Sequence, residues 1–349
     1  MVTFINKVAF TLRIFRIPHR CGKAYHVRDN SPEKTMRYRL LAGTWADEAP
    51  TLALLAATYG LFALATSWLW AASPALAILA AALAAAQFCS LQHEMLHGHP
   101  FANSHLNHAL AFPALGFFYP YLRFQDTHLA HHHDPILTDP YDDPESNYLD
   151  PEVWARLSAP MRAVLRVNNT LAGRMILGPL LGFGFFLGTE AALIRRGVPG
   201  VARAWALHLL GLALVIGWLS LAGMPVWAWL LAAYLAGAIL KIRTFLEHRA
   251  HELFRARTVI IEDRGPLALL FLNNNFHVVH HMHPAVPWHR LPALYRQNRL
   301  HYLRRNEGYL YRNYLEIFRK HLFRAKDPVP HPVWPVQRGE ERPLQDAAE

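Results

Sequence analysis

The sequence predicts an all-α, polytopic helical membrane protein whose four transmembrane helices form two hairpins beneath a cytoplasmic histidine-rich cap. Three observations support this fold class. Only 17% of the 349 residues are charged, whereas about a quarter is usual in soluble proteins. Four long runs contain no charged side chain. Three short histidine clusters lie outside these runs, the first directly after one of them.

The first predicted hairpin lies near the amino-terminal end. Residues 51–72 carry no charge and are long enough to cross the hydrocarbon of a bilayer. After Ser73 and Pro74, a second uncharged run, residues 75–92, leads directly into His93. The two runs and their short link indicate a helical hairpin.

The second predicted hairpin repeats this arrangement. Residues 205–222 and 226–240 are apolar, residues 223–225 form a turn, and Lys241 and Arg243 follow at once. Each run is near the lower limit for a span, and together they predict a second hairpin. A further apolar run, residues 176–188, has only thirteen residues, so we expect an interfacial helix there.

Positive charge predicts the orientation. Nine Lys and Arg lie between Lys7 and Arg39, whereas both hairpin links have none. The positive-inside rule then places both termini and all three histidine clusters in the cytoplasm, which suits a cell inner membrane. We expect a cytoplasmic arm over residues 1–48, a membrane domain over residues 49–326 and a disordered tail over residues 327–349.

The segment from Arg290 to Lys326 contains ten Lys and Arg and two Glu. Beside four spans, such a segment is expected to lie on anionic membrane lipid or to receive an acidic electron-transfer partner. Nucleic acid is not expected as a partner. The two cysteines, Cys21 and Cys89, indicate neither a disulfide framework nor metal ligands.

The histidine clusters have helical spacing, which brings the rings of each cluster to one face. Imidazole is a good metal ligand near neutral pH. The first cluster alone fits the HExxH pattern of zinc proteases, but the three clusters offer too many ligands for one open tetrahedral zinc. The number of ligands therefore favours two metals. The clusters are His93 and His97; His128, His131 and His132; and His277, His280 and His281.

This order of clusters, set between two apolar hairpins, resembles the membrane fatty acid desaturase and hydroxylase superfamily over residues 51–289. The resemblance implies a di-iron centre that activates dioxygen at the cytoplasmic ends of four helices. It implies a ninth ligand, His248, just beyond the fourth span. The implied iron ligands are His93, His97, His128, His131, His132, His248, His277, His280 and His281.

Some features leave alternatives open. Where some acyl-CoA desaturases place an asparagine one turn before the ninth histidine, this chain has Thr244. Asn273 to Asn275 could orient the rings of the third cluster or cap its helix. The acidic loop 138–145 is either solvated, a contact for a substrate head group, or a support for residues 131–133. Glu94 and Glu247 could hold ring protons or form surface ion pairs.

The resemblance implies an oxygen-dependent fatty-acyl desaturase that introduces a double bond into a long acyl chain. No cytochrome b5 haem motif or flavin fingerprint is apparent, so the electrons are expected from a separate ferredoxin, rubredoxin or cytochrome-type donor. The same site could hydroxylate fatty acids or alkanes, hydroxylate or ketolate carotenoids, or decarboxylate a fatty acid to a terminal alkene. A membrane zinc protease would leave two clusters unused. A metal transporter would place its ligands near the bilayer midplane.

Overall fold

The computed structural model describes residues 45–134 and 136–334, and almost all of its regular structure is helical. A two-stranded parallel sheet pairs Ile260 with Leu310. In chain order the elements are α1 (Trp45–Leu64), a π-helical segment (Ala65–Leu69), α2 (Trp70–Ala72), α3 (Pro74–Leu96), α4 (Ser104–Ala111), α5 (Tyr121–His133), α6 (Pro151–Arg156), α7 (Ala159–Asn168), α8 (Leu171–Arg195), α9 (Val201–Ala222), α10 (Val226–Thr244), a 3-10 turn (Phe254–Ala256), β1 (Ile260–Ile261), α11 (Pro266–Leu270), α12 (His277–Met282), α13 (Leu291–Gln297), α14 (Arg299–Arg305), β2 (Leu310–Tyr311) and α15 (Tyr314–His321).

The four predicted apolar runs are all helical, and each helix extends beyond its run. The first is continuous from α1 through the π-helical segment to α2. Helix α3 begins with Pro74 in its first turn, where a missing N–H costs nothing. Alanines cover the face of α3 that packs on α10, and Ala81, Ala85 and Ala236 are almost fully buried there. Small side chains let the two helix backbones approach closely.

Helix α8 differs from the sequence-based expectation. We expected a helix too short to span, but α8 has 25 residues and is one of five described helices long and apolar enough to cross a membrane. The length argument was wrong because the helix continues past the charges that bound the apolar run. Arg174 is buried against the Phe245 ring, and buried Glu190 accepts hydrogen bonds from Arg123 and Trp205.

Each end of α8 contacts residues at or near the end of another helix. Leu171 packs with Ile242 and Phe245, where α10 ends. Glu190 bonds to Arg123 of α5 and to Trp205 near the start of α9. One end of α8 therefore lies near the end of α10 that precedes His248, and the other end lies near α5, which carries the second cluster.

Three of the short helices after α10, namely α12, α13 and α14, pack on one another. Val278 and Val279 of α12 lie in a common core with Tyr295 of α13 and Tyr302 of α14. The predicted amino-terminal arm, residues 1–48, lies outside the described residues apart from its last four. Of the predicted disordered tail, residues 327–334 are described and pack against the rest of the protein, while the remainder lies outside the described residues.

Candidate metal centre

The structure brings all nine predicted histidines into two adjacent groups. The metal-binding nitrogens within each group lie within 4.8 Å of one another. The rings of His132 and His281, one from each group, are stacked with centroids 4.2 Å apart. The larger group is His93, His97, His128, His132 and His280, and the smaller is His131, His248, His277 and His281.

Each group combines residues from distant parts of the chain. The first cluster lies at the end of α3, the second on the last turns of α5 and the third on α12. His248 follows the end of α10 by four residues. Helical spacing brings the histidines of each cluster to one face, but histidines that are adjacent in sequence belong to different groups. His131 and His132 belong to different groups, as do His280 and His281. Helices α5 and α12 therefore each contribute to both groups.

Several Nε2 atoms face one another at short distances. The distance is 2.9 Å from His131 to His248, 3.0 Å from His128 to His132 and 3.1 Å from His132 to His280. In neutral imidazole, a proton on Nδ1 leaves Nε2 with a lone pair. Where both Nε2 atoms of such a pair are unprotonated, their lone pairs repel, and a cation between them turns the contact into an attraction. Metal–nitrogen bonds of about 2.1 Å at right angles place two nitrogens about 3.0 Å apart, so these spacings fit a metal.

Four ring nitrogens of the two groups are buried without a hydrogen-bond partner in the described part of the chain. They are Nε2 of His93 and His97 and Nδ1 of His132 and His248. A buried polar atom without a partner costs about 1–3 kcal/mol. The unpartnered Nε2 atoms belong to the larger group, so a metal ligated there would remove that cost. The donor set fits a metal in chemistry as well, because imidazole suits iron, copper, zinc and nickel.

Two carboxylates of the acidic loop hold rings of the second cluster. The Nδ1 atom of His128 donates to Glu145 Oε1 at 2.8 Å, and that of His131 donates to Asp143 Oδ1 at 2.8 Å. Burial lowers the pKa of His131, and the neighbouring carboxylates of Asp143 and Glu145 raise it above its usual value. The loop therefore supports positive charge at the site, and its interpretation as hydrogen-bond support agrees with the geometry.

An unusual backbone conformation helps to place Asp143. Thr138 has φ of 71°, a left-handed conformation uncommon for a β-branched residue. Its N–H donates to Asp143 Oδ2 at 2.7 Å, while Oδ1 accepts from His131. Both carboxylate oxygens of Asp143 are thus fixed, and the ring of His131 is fixed with them.

The third cluster has a neutral support. The side-chain oxygen of Asn274 accepts from His277 Nδ1 at 3.0 Å, and its nitrogen donates to Glu247 at 3.1 Å. Asn273 and Asn275 donate to backbone carbonyls instead, and no side chain caps α12. Asn274 is therefore the asparagine that orients a ring, and Glu247 acts on His277 through it. Glu94 accepts a hydrogen bond from the backbone N–H of Trp288 instead.

The other described histidines near the clusters lie outside both groups. His99 is buried and bonds to Glu48 at 2.8 Å and to the Ala285 carbonyl. His133 bonds to a carbonyl of its own helix. His208, within α9, donates to the Phe117 carbonyl at 3.0 Å. These contacts agree with structural roles for these three rings.

A carboxyl-terminal segment, residues 326–331, packs against the acidic loop and its neighbours, and we call this segment the strap. The sequence did not predict its contacts. Leu149 exchanges backbone hydrogen bonds with Val329 and His331. The Tyr148 hydroxyl donates to Asp327, and Lys326 donates to the backbone carbonyl of His248. These pairings join residues more than 70 positions apart, and the proline-rich composition of the tail gave no signal of them. His331 also bonds to Thr138 of the acidic loop, so the strap contacts both this loop and the segment that carries His248.

Comparison with known proteins agrees with this geometry. No curated protein matches the chain. The family model described as fatty acid desaturase matches residues 67–313, which include all nine clustered histidines and all of the acidic loop. The match covers more than half of the sequence, so the chain belongs to the fatty acid desaturase family.

Proposed function

We propose that the protein is an oxygen-dependent di-iron fatty-acyl desaturase that introduces a double bond into a long acyl chain. The observation that carries this proposal is the division of nine histidines into two adjacent groups in a chain of the desaturase family. One iron would be held by His93, His97, His128, His132 and His280, and the other by His131, His248, His277 and His281.

With bound iron, dioxygen can supply an oxidant strong enough to remove hydrogen from an unactivated methylene. Removing two hydrogens from adjacent carbons, with two electrons and two protons from outside, reduces dioxygen to two waters. The residues of the protein orient the histidine rings and exclude water. Asp143, Glu145 and Asn274 fix rings of the two groups, and the apolar core of Leu91, Met95 and other residues keeps water away. The electrons would come from a separate ferredoxin, rubredoxin or cytochrome-type donor.

We further propose four spans, formed by α1 with α2, α3, α9 and α10, with both termini on the cytoplasmic side of a cell inner membrane. Both ends of α8 contact elements near the metal centre, which supports a helix lying along the interface. The absence of Lys and Arg from residues 73 and 74 and residues 223–225 supports the orientation.

The outcome of the reaction is tested by profiling the lipids and hydrocarbons of an expressing host by mass spectrometry. We expect a new double bond in a long acyl chain. Accumulation of hydroxy acids, modified carotenoids or an alkene one carbon shorter than its acid would replace the desaturase assignment by another reaction of the same centre.

The metal assignment is tested separately by the iron content of the purified protein. We expect about two irons per chain, and we expect His97→Ala and His248→Ala to lower the iron content and abolish turnover. One zinc per chain, with full activity after substitution of the third cluster, would contradict the di-iron centre.

A further inference from the structure

A cleft outside the metal centre opens where α4, α5 and α9 meet. Its volume is about 210 Å³. Its floor and walls are mainly apolar, and its polar side chains include His105, His108, Tyr121 and Arg203. Gly211 allows α9 to approach this region closely, since a Cβ there would lie 2.6 Å from the Phe112 carbonyl oxygen. The apolar lining includes Ala111, Phe112, Ala114, Leu122, Ala204 and Leu207.

Two polar atoms of the cleft residues lack partners in the described structure. Tyr121 is 8% exposed, and its hydroxyl is buried without a hydrogen bond. The Nε2 atom of His108 is also buried without one, and the rings of the two residues lie 5.5 Å apart between centroids. Because unpaired buried polar groups are costly, this pair indicates a ligand with hydrogen-bonding atoms.

The charge at the cleft favours an anion. Arg203 is exposed in the first turn of α9, and a guanidinium fork matches a carboxylate bidentately. No side chain caps the start of α9, and the N-terminal end of a long helix attracts negative charge. The ligand that satisfies these groups carries a small anionic head and an apolar chain.

The volume of the cleft distinguishes a free fatty acid from an acyl thioester as the molecule that it can bind. Pockets for drug-sized ligands usually measure about 300–1,000 Å³, so a cleft of about 210 Å³ encloses a carboxylate and its first methylenes but no nucleotide. Its lining offers one guanidinium, whereas a coenzyme A head carries several phosphate charges. A free acid fits this lining better than a thioester.

The cleft also lies close to the metal centre along two helices. Gln92 lines the cleft and directly precedes His93 on α3. Tyr121 precedes His128 by seven residues on α5, a rise of about 10 Å along a helix. A fatty acid whose carboxylate is held at the cleft can therefore extend its acyl chain toward the histidines.

We infer that this cleft binds the carboxylate of a free fatty acid substrate, through Arg203, the Tyr121 hydroxyl and His108. The inference rests on the proposed function and adds the substrate class, a free acid rather than an acyl thioester. Arg203 and Tyr121 are positioning residues for the acyl chain, since neither belongs to the histidine groups.

The test uses the full-length, iron-loaded protein in detergent and equilibrium dialysis of radiolabelled laurate, methyl laurate and lauroyl-CoA. Arg203→Ala is expected to weaken laurate binding about tenfold or more and to leave methyl laurate binding and iron content unchanged. Tyr121→Phe weakens laurate binding less, and Arg203→Lys restores part of it. Arg196→Ala, an exposed arginine outside the cleft lining, is the matched control and binds laurate as the unmodified protein does.

Turnover gives a second readout. Arg203→Ala raises KM for laurate and leaves kcat nearly unchanged. Equal laurate binding by Arg203→Ala and the unmodified protein would overturn the inference. The inference would also be overturned if Arg203→Ala lost only binding to phosphatidylglycerol vesicles, because that result would identify Arg203 as a contact for membrane lipid. Turnover of lauroyl-CoA without binding of laurate overturns the inference but leaves the proposed function intact. Iron-loaded protein that oxidises no acyl chain overturns the proposed function itself.

Discussion

The Asp143 carboxylate accepts a hydrogen bond from Nδ1 of His131 at 2.8 Å, and both side chains are almost fully buried. Burial alone raises the pKa of a carboxyl group, but the neighbouring His131 and the N–H of Thr138 hold the pKa of Asp143 below its usual value. Asp143 therefore stays ionised beside the smaller histidine group. A buried negative charge at this distance fixes the orientation of the His131 ring and offsets part of the charge of a bound cation.

We expect Asp143→Asn to reduce iron affinity or activity by about 10-fold to 100-fold, the range found when carboxylates behind metal ligands are replaced. The amide oxygen can still accept from His131, but the negative charge is lost. Iron content after dialysis against a chelator measures the change. Asp142→Asn, an exposed carboxylate of the same loop, serves as the control and should retain iron normally. Equal iron retention by both variants would show that Asp143 does not contribute to iron binding.

The sequence alone predicted the helical fold and the three histidine clusters because both leave local patterns, whereas His248 was implied by the family resemblance. An uncharged run has a fixed minimum length for a span, and cluster spacing follows the turn of a helix. The supports of the rings were less predictable. Asp143 and Glu145 lie 12 and 17 residues from the histidines they hold, within a loop that also suits solvent.

Two features depended on long-range packing that no local pattern carries. The length of α8 was underestimated because buried Arg174 and Glu190 lie within the helix and have their partners elsewhere in the chain. The strap was missed because its contacts with Tyr148 and Leu149 join residues about 180 positions apart. In both cases charged or proline-rich segments are ordered by partners that are remote in sequence.

The path of α8 is tested by the labelling of single cysteines in a variant without Cys21 and Cys89. Arg166→Cys and Arg196→Cys flank α8 at exposed positions, and we expect an impermeant thiol reagent to label both from the cytoplasmic side. Ala72→Cys and Leu221→Cys, at the ends of the spans near the hairpin links, should react from the opposite side. Labelling of residues 166 and 196 from different sides would show that α8 spans the membrane.

We expect the strap to loosen in mild acid because His331 is buried as the neutral ring. Its Nε2 donates to Thr138 at 3.1 Å and its Nδ1 accepts from the N–H of Val333. Burial lowers the pKa of His331 to about 4, and Arg257 adds to the effect while Asp327 opposes it. An unfolded histidine has a pKa of about 6.5. The unfolded chain thus binds more protons between these values, so stability falls as the pH drops from about 6.5 toward 4.

Hydrogen exchange of the peptide covering residues 327–334, at pH 7.5 and 5.0, measures this loosening after correction for the intrinsic rate. We expect faster exchange at pH 5.0. His331→Gln keeps a donor near Thr138 but does not titrate, so its exchange should depend little on pH. The same acid response in both proteins would assign the effect to another group.

The Tyr148 hydroxyl joins three segments, since it accepts from the N–H of Ala250 at 2.8 Å and donates to Asp327. Tyr148→Phe leaves both partners without this hydroxyl at a largely buried position, and each lost partner costs about 1–3 kcal/mol. We therefore expect a lower unfolding temperature and easier loss of iron, because Ala250 follows His248 by two residues. Tyr141→Phe, which loses one hydrogen bond to Asp150 at a half-buried position, is the matched control. If the two variants unfold at the same temperature, the strap does not stabilise the segment that carries His248.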